Sequence, residues 1–358
     1  MEFPPFEHLR YYERVHDVRL NISYSNIKPF TLGEFHRSLP KGLDLNWTDE
    51  RGSPELRRLI ARRHRVGADH VLVTSGATEA NFLVNAALVR PRDRVVVDSP
   101  IYSPLRDCPT GFGAKVVPVP RDCAEGWALD LDRFRKAAAG GAKMFVFANL
   151  NNPTSVVVTR SELREVVDLA EERDAYVLVD ETFRELAFSR TPPSVVEFGP
   201  RTIALSTVTK VGGLGALRVG WAVAHPSVLE RIKTVKDYTT VCGSSVSQLL
   251  ATWALERWEF FRKRARGILE KNRAIAEDLL NRTPALEGEV PRGGTVMFPH
   301  SEVNVPKLAD RLLRKHKTVI AEGRFFGMND HFRLGLGGDH PELRRGLGNL
   351  RRALMELS

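Results

Sequence analysis

The chain has 358 residues, of which 42% are hydrophobic and 27% charged, a composition typical of a globular enzyme and not of a disordered chain. No apolar run approaches the ~20 residues that span a bilayer, so no membrane association is expected. The net charge of +9 is spread along the sequence, mostly on helical patterns, which argues against a nucleic-acid partner.

The cysteines and the first residues favour a cytoplasmic protein. Cys108, Cys123 and Cys242 are widely separated, as expected for reduced thiols, and show no metal-ligand spacing. The first five residues lack the basic and apolar regions of a secretory signal. Gln248 is the only glutamine among many charged residues, a compositional hint of a thermophilic source.

Short apolar runs alternate with helical patterns from about residue 69 to 224, which predicts an α/β fold with a mostly parallel sheet of seven strands. A capping box, Thr159 with Glu162, opens one of the helices. The predicted strands are His70–Thr74, Arg94–Asp98, Lys115–Val119, Lys143–Asn149, Ala175–Asp180, Thr202–Ser206 and Arg218–Ala224.

The pattern changes after about residue 226. A long helix is predicted over Trp258–Asn281, and short strands then mix with helices in a smaller α+β domain. These strands are predicted at Gly294–Phe298, Thr318–Ala321 and His331–Leu336. We therefore expect an N-terminal segment (1–40) packing with the small domain, a large domain (41–235) and a small C-terminal domain (236–358).

Polar residues follow several predicted strands, at the edge where parallel sheets bind ligands. Ser75-Gly76-Ala77-Thr78 opens a helix and could bind a phosphate, although a tight turn alone explains it equally well. Tyr102 could stack on an aromatic ligand or simply pack. Asn152 could donate to a ring oxygen or belong to a turn. Asp180 ends a buried strand, where it could pair with a pyridine nitrogen or cap a helix.

Lys210 lies between the strand Thr202–Ser206 and a glycine-rich loop that ends at Arg218. A lysine in this position could form an imine with an aldehyde, while the arginine holds a phosphate. The two together point to pyridoxal phosphate (PLP). Near the C-terminus, Arg333 stands in an apolar strand, where it could hold a carboxylate by paired hydrogen bonds or form a structural salt bridge.

Together these segments resemble the class I/II aminotransferases of the PLP-dependent fold-type I superfamily, whose best-known fold is that of aspartate aminotransferase. The resemblance extends from about Asn46 to Leu354. Its motifs occur in the family's order: SGAT, PIY, NNPT, VDE, TxTK with GLGALR, EGRFFG and FRLGL.

The resemblance implies a role for each matching position. Lys210 would form the Schiff base with PLP and then move protons. Arg333, with Asn152, would bind the substrate carboxylate, and Tyr24 and Trp47 would also line the substrate site. The family is usually a homodimer whose sites both subunits complete. The cofactor-binding positions would be Gly76, Ala77, Thr78, Tyr102, Asn152, Asp180, Phe183, Thr207, Thr209 and Arg218.

Three positions depart from the family pattern. Phe183 replaces a tyrosine that donates to the ring oxygen, so we expect a raised pKa for the cofactor's imine. Trp47 stands where a tyrosine often reaches the neighbouring subunit's phosphate, and its indole N–H can still donate. Ser155 replaces a glycine in a turn.

The leading hypothesis is transfer of an amino group from an L-amino acid to a 2-oxo acid. A PLP-dependent decarboxylase or lyase, similar to threonine-phosphate decarboxylase, is the alternative, because Phe183 and the chain length also suit that branch. A non-catalytic PLP-sensing module is the third, and no helix-turn-helix pattern favours it. The sequence does not choose the amino acid, although Asn26 and the segment 324–326 are candidates for the side-chain pocket, with Arg324 able to select an acidic side chain.

Overall fold

The computed structural model describes residues 2–357. Its first elements are helix α1 (Glu7–Arg14), the short strand β1 (Leu20–Asn21) and helix α2 (Pro54–His64). Pro54 occupies the first turn of α2, and the Ser53 side chain accepts a hydrogen bond from the Leu56 N–H, so the start of this helix is well capped.

A sheet of seven strands forms the centre of the molecule, in the order β2-β8-β7-β6-β5-β3-β4. All neighbours in the sheet are parallel except β8, which is antiparallel to both β7 and β2. The predicted mostly parallel sheet is therefore confirmed. The strands are β2 (Val71–Thr74), β3 (Arg94–Ser99), β4 (Lys115–Pro120), β5 (Met144–Ala148), β6 (Tyr176–Asp180), β7 (Thr202–Thr207) and β8 (Gly220–Ala224).

Helices cover both faces of this sheet, because alternate side chains of each central strand point to opposite faces. In β3, Val95 and Val97 pack in one hydrophobic cluster with Leu83, whereas Val96 packs in the other with Leu163. The helices along this part of the chain are α3 (Ala77–Leu88), α4 (Ser103–Gly111), α5 (Leu131–Ala137), α6 (Arg160–Glu171), α7 (Thr209–Gly212) and α8 (Pro226–Lys236).

The rest of the chain forms smaller sheets and long helices. β10, β14 and β13 make an antiparallel sheet, β9 pairs with β11, and β12 pairs in parallel with β1. These elements are α9 (Ser245–Glu256), α10 (Trp258–Asn281), β9 (Leu286–Glu287), β10 (Val296–Met297), β11 (His300–Ser301), α11 (Val305–His316), β12 (Thr318–Val319), β13 (Ala321–Glu322), β14 (Phe332–Gly335) and α12 (His340–Met355).

Two sequence expectations need correction in detail. The strand predicted over Thr318–Ala321 is divided into β12 and β13, which pair with different partners. Arg218 does not begin β8: its φ of 51° is left-handed, and the strand starts at Gly220. The capping box is present as predicted, since the Thr159 N–H donates to Glu162 Oε2 at 2.7 Å and α6 begins at the next residue.

The division of the chain at residues 40 and 235 stays a proposal. The pairing of β1 with β12 and the bond from the Gly335 N–H to the Ile22 carbonyl (2.8 Å) support the assignment of the N-terminal segment. Helix α9, in contrast, packs against α2, so the second boundary is less sharp than the first. Among residues 2–357, no helix is both long and apolar enough to cross a bilayer.

Candidate active site

A cavity of about 320 Å³ opens at the carboxyl edge of the large sheet. Residues at or just after the ends of five different strands converge on it, as expected for a fold of this type. They are Gly76 to Thr78 after β2, Tyr102 after β3, Asn152 after β5, Asp180 at the end of β6, and Thr207 to Lys210 at the end of β7. Arg218, Phe183, Tyr24 and Arg333 also line this central cavity.

One end of the central cavity is suited to an anion. Gly76 has a φ of 84°, and α3 begins at the next residue, so the positive end of the helix dipole faces the cavity. The guanidinium of Arg218 lies beside it: Nη2 donates to the Ser75 carbonyl at 3.3 Å, and a Cβ on Gly76 would lie only 2.5 Å from that nitrogen. The hydroxyls of Thr207 and Thr209, 2.9 Å apart, complete this end.

Lys210 lies at the centre of the cavity. Its ammonium Nζ donates to Asn26 Oδ1 at 2.5 Å and to Ser25 Oγ at 3.0 Å. Burial lowers its pKa from an ordinary value near 10.5 to about 7, the charge of Arg333 adds to this shift, and Asp180 opposes it. A substantial fraction of this amine is therefore neutral, and hence nucleophilic, near neutral pH.

Asp180 occupies the floor of the central cavity. Burial raises the pKa of its carboxyl group, and the backbone N–H of Thr182, which donates to Oδ1 at 2.9 Å, and the charge of Lys210 work in the opposite direction. A buried carboxylate requires a cationic partner or a proton. A protonated ring nitrogen at this position would meet that requirement.

Arg333 is 3% exposed and forms the opposite end of the cavity. Its Nη1 donates to Asn152 Oδ1 and its Nη2 to the Ser23 carbonyl, both at 2.9 Å, and its guanidinium lies 4.9 Å from the centroid of the Phe326 ring. Its Nε finds no hydrogen-bond acceptor among residues 2–357. An uncompensated buried guanidinium of this kind is suited to a carboxylate.

Two aromatic rings flank the space between these charges. Tyr102 is the residue before α4; burial raises its pKa to about 12, and it hydrogen-bonds the side chain of Thr78. The ring centroid of Phe183 lies 5.8 Å from Lys210 Nζ, and the side chain is buried. Both rings line the cavity, as the sequence predicted, and both can contact a planar ligand there.

The structure also places residues at the site for which the sequence analysis offered no role. Four residues in and before α1, with Tyr24, form one side of the central cavity, and we call this side the N-terminal wall. Tyr24 was predicted, but the α1 residues follow no recognised motif, and only the aromatic-rich composition of this segment could have drawn attention to them. The wall consists of Phe6, His8, Leu9, Tyr12 and Tyr24.

Trp47, which the sequence placed at the substrate site, does not line the central cavity. Its side chain is 54% exposed, and its indole N–H donates to Glu50 Oε1 at 3.3 Å. Its expected role was contact with a neighbouring subunit, so it stays a prediction for the dimer. Within residues 2–357, no group of three or more His, Cys, Asp or Glu side chains is placed to bind a metal ion.

Residues 38–350 match the family profile "Aminotransferase class I and II", so the chain belongs to this family. Capreomycidine synthase from Streptomyces vinaceus is 32% identical over 94% of this chain and 90% of its own length. The structure of a PLP-dependent aminotransferase from Streptococcus suis 89-1591 superposes with a TM-score of 0.94 at 29% identity, over 100% and 99% of the two chains.

A third relative is named as a cyclase and not as an aminotransferase. The PLP-dependent cyclase OrfR superposes with a TM-score of 0.89 at 27% identity and covers 100% of this chain and 99% of its own. A mutant of Thermus thermophilus aspartate aminotransferase superposes with a TM-score of 0.86 at 24% identity, over 96% of this chain and 99% of its own, which confirms the aspartate-aminotransferase-like fold. The family match identifies an enzyme of the PLP-dependent aminotransferase family, with PLP as its cofactor. The residues of the central cavity fit PLP, since they provide an anion site, a partly neutral lysine and a buried carboxylate.

Proposed function

We propose that this enzyme transfers the amino group of an L-amino acid to a 2-oxo acid. One observation carries the proposal: Lys210, whose pKa is lowered to about 7, lies in one cavity with a buried carboxylate and a buried arginine. An amine that gains and loses a proton near neutral pH is suited to move a proton at the substrate's α-carbon. The arginine would fix the substrate so that this carbon lies beside the amine.

PLP, when bound, supplies an aldehyde that condenses with amines and a ring that delocalises the electrons released at the α-carbon. Asp180 would keep the ring nitrogen protonated, and Asn152 would donate its amide N–H to the ring oxygen. Tyr102 would stack on the ring. The phosphate would be held by the first turn of α3 (Gly76, Ala77 and Thr78) together with Thr207, Thr209 and Arg218.

Substrate binding falls to Arg333. Its unpartnered Nε and the fixed orientation of its two terminal nitrogens prepare it for the α-carboxylate. Asn152 contributes to both sites, since its Oδ1 already accepts from Arg333 at 2.9 Å. Lys210 is then left to move the proton, and Ser25 and Asn26, which accept its hydrogen bonds, hold the amine when it is protonated.

Replacement of Lys210 tests the proposal. Lys210→Ala should lower the rate of 2-oxo acid formation by about 10²–10⁴-fold, the usual contribution of a positioned acid-base group. Treatment with PLP and borohydride should place a pyridoxyl group on Lys210 of the unaltered protein, detected by peptide mass. Lys233→Ala removes a lysine on α8 outside the cavity and should change neither result. Equal activity in the Lys210 variant would refute the assignment.

The similarity to OrfR and to capreomycidine synthase favours one alternative, a PLP-dependent cyclisation. Cyclisation, like the decarboxylation or elimination reactions that Phe183 leaves open, would use Lys210 and Asp180 without a second substrate. Product analysis separates these classes. Transamination requires an added 2-oxo acid and returns it as an amino acid, whereas conversion of an amino acid without that requirement would support the alternative.

A further inference from the structure

The N-terminal wall faces the central cavity with aromatic and aliphatic surface. The His8 ring stacks on Phe325 with centroids 5.0 Å apart, and its Nε2 lies 3.1 Å from the Tyr12 hydroxyl. The Tyr12 ring in turn lies 5.9 Å from that of Tyr24, and the Tyr12 hydroxyl hydrogen-bonds Ser23. These contacts hold the wall together without an ionised group.

The charged residues that line the cavity already have other assignments. Among the described residues they are Asp180, Lys210, Arg218 and Arg333. They are assigned, in that order, to the ring nitrogen of the cofactor, to proton transfer, to the cofactor phosphate and to the α-carboxylate of the substrate. His8 is the cavity residue whose ordinary pKa lies near neutrality. Burial, with added repulsion from Arg333 and Lys210, lowers its pKa to about 3, so its imidazole is neutral at physiological pH.

Arg324, which the sequence made a candidate for recognising an acidic side chain, does not line the cavity. Its Nε and Nη2 donate to the two carboxylate oxygens of Glu322, at 3.0 and 3.1 Å, and its guanidinium lies over the Phe325 ring. It is therefore neutralised by its neighbour. A carboxylate on the substrate side chain would meet no free cation at the N-terminal wall, and a guanidinium or ammonium would meet no carboxylate.

We propose that the N-terminal wall selects amino acids whose side chains are uncharged and apolar or aromatic. This inference rests on the proposed transamination and adds the substrate class to it. A substrate bound through Arg333 and beside Lys210 would direct its side chain toward the wall, an uncharged side of the cavity. His8 Nε2 already pairs with the Tyr12 hydroxyl, and that hydroxyl with Ser23, so an apolar side chain can contact the wall without breaking these hydrogen bonds.

A panel of amino donors with 2-oxoglutarate tests the substrate class in the PLP-loaded enzyme. Leucine, methionine, phenylalanine and tyrosine are expected to exceed aspartate, glutamate, lysine and arginine in kcat/KM by at least about 10-fold, a difference that pocket contacts can supply. Preference for any charged donor would overturn the inference and leave the proposed function intact. If no donor forms a 2-oxo acid, the proposed function fails.

Binding of inert analogues tests the same preference without turnover. 3-Phenylpropanoate should raise the melting temperature of the PLP-loaded enzyme more than an equal concentration of succinate, because both present one carboxylate to Arg333 and only the first places a ring on the wall. Equal shifts, or a larger shift with succinate, would overturn the inference. Because it requires no turnover, this measurement tests the side-chain preference of the wall even if the enzyme does not catalyse transamination.

A change of charge at the wall provides the matched comparison. Tyr24 is 58% exposed, so Tyr24→Arg can add a cation to the wall with little cost to folding. It should raise kcat/KM for glutamate by about 10-fold relative to phenylalanine. Met355→Arg adds the same charge at an exposed position on α12, away from the cavity, and should leave the ratio unchanged. No change in the ratio for the Tyr24 variant would contradict the proposal.

Discussion

At Lys210, burial and charge act against each other within a few ångströms. Removing the ammonium from water favours the neutral amine, Arg333 strengthens that preference, and Asp180 weakens it. Burial likewise raises the pKa of Asp180. The two groups therefore hold each other in states intermediate between those of isolated buried residues, which is the condition for an amine that exchanges protons at neutral pH.

The lowered pKa of Lys210 predicts a pH dependence of stability before PLP is added. In the unfolded chain the pKa is near 10.5 and in the folded protein about 7. Between these values the unfolded state binds the additional proton, so the free energy of unfolding should rise with pH. From pH 7 to pH 9 we expect a gain on the order of 2 kcal/mol over a Lys210→Met variant, measured by urea denaturation.

A parallel pH profile for the unaltered protein and Lys210→Met would contradict this expectation. Lys233→Met, on the surface of α8, is the control and should retain the full pH dependence. The comparison reports Lys210 together with its effect on the pKa of Asp180, because every other titrating group is common to the three proteins.

Phe183 predicts a spectroscopic difference from relatives with tyrosine. A phenol at this position would donate to the ring oxygen of PLP and favour the deprotonated imine, so Phe183→Tyr should lower the midpoint of the visible pH titration of the PLP-loaded enzyme by about one unit. The position is buried and near Lys210 Nζ, so the new hydroxyl would point into the cavity. Phe183→Leu serves as the control, and identical midpoints for tyrosine and phenylalanine would contradict the prediction.

At the scale of elements, the anion end of the cavity depends on how closely β8 approaches the start of α3. Gly220 of β8 lies against the backbone of Gly76 and Ala77, and a Cβ at residue 220 would be 2.5 Å from the Ala77 nitrogen. The pairing of β8 with β2 makes this approach unavoidable, since Thr74 lies opposite Gly220. The strand register thus fixes where the helix N-terminus points.

Gly220→Ala should consequently displace the phosphate-binding turn and weaken PLP binding by about 10-fold or more, a loss of at least ~1.4 kcal/mol. Fluorescence titration with PLP would measure it. Gly267→Ala is the matched control, because a Cβ on this α10 glycine meets no atom within 4 Å. That variant should gain about 0.5–1 kcal/mol of stability and keep its PLP affinity. An unchanged affinity in Gly220→Ala would show that the turn can move without cost.

The elements also show what the sequence could and could not reveal. The buried strands β5, β6 and β7 are built around apolar runs, and residues with recognisable chemistry stand at or after their ends. Asn152, Asp180 and Lys210 could therefore be placed from the sequence. Helix α1 could not be placed in the same way. The His8 ring lies at the cavity and stacks on Phe325, a contact between residues 8 and 325 that no local pattern records.

Arg324 illustrates the same difference at closer range. The sequence shows a guanidinium near the substrate motif, but its partner is decided by the backbone between Glu322 and Arg324, which brings their side chains into a paired contact. The sequence therefore showed that Arg324 carries a positive charge, but not that Glu322 pairs with it and leaves it unable to bind a substrate carboxylate. For Trp47, the sequence predicted contact with a neighbouring subunit, and within the single chain its indole N–H donates to Glu50.

For the whole molecule, we predict a homodimer, as the family resemblance implies. Leu45, Trp47 and Tyr238 are 73%, 54% and 88% exposed in the single chain, and a subunit interface would remove such large apolar side chains from water. Sedimentation velocity should give a mass about twice that of the 40.2 kDa chain. A species with the mass of one chain at micromolar concentration would contradict the prediction.

The contact between β1 and β12 also orders events during synthesis. Residue 318 must leave the ribosome before the first strand can find its partner, whereas every group assigned to the cofactor phosphate, from Gly76 to Arg218, emerges earlier. Chains generally begin to fold while they are being translated. The half of the site that would bind the cofactor can thus assemble on the nascent polypeptide, and the half that would recognise the amino acid forms only after residue 318 has emerged.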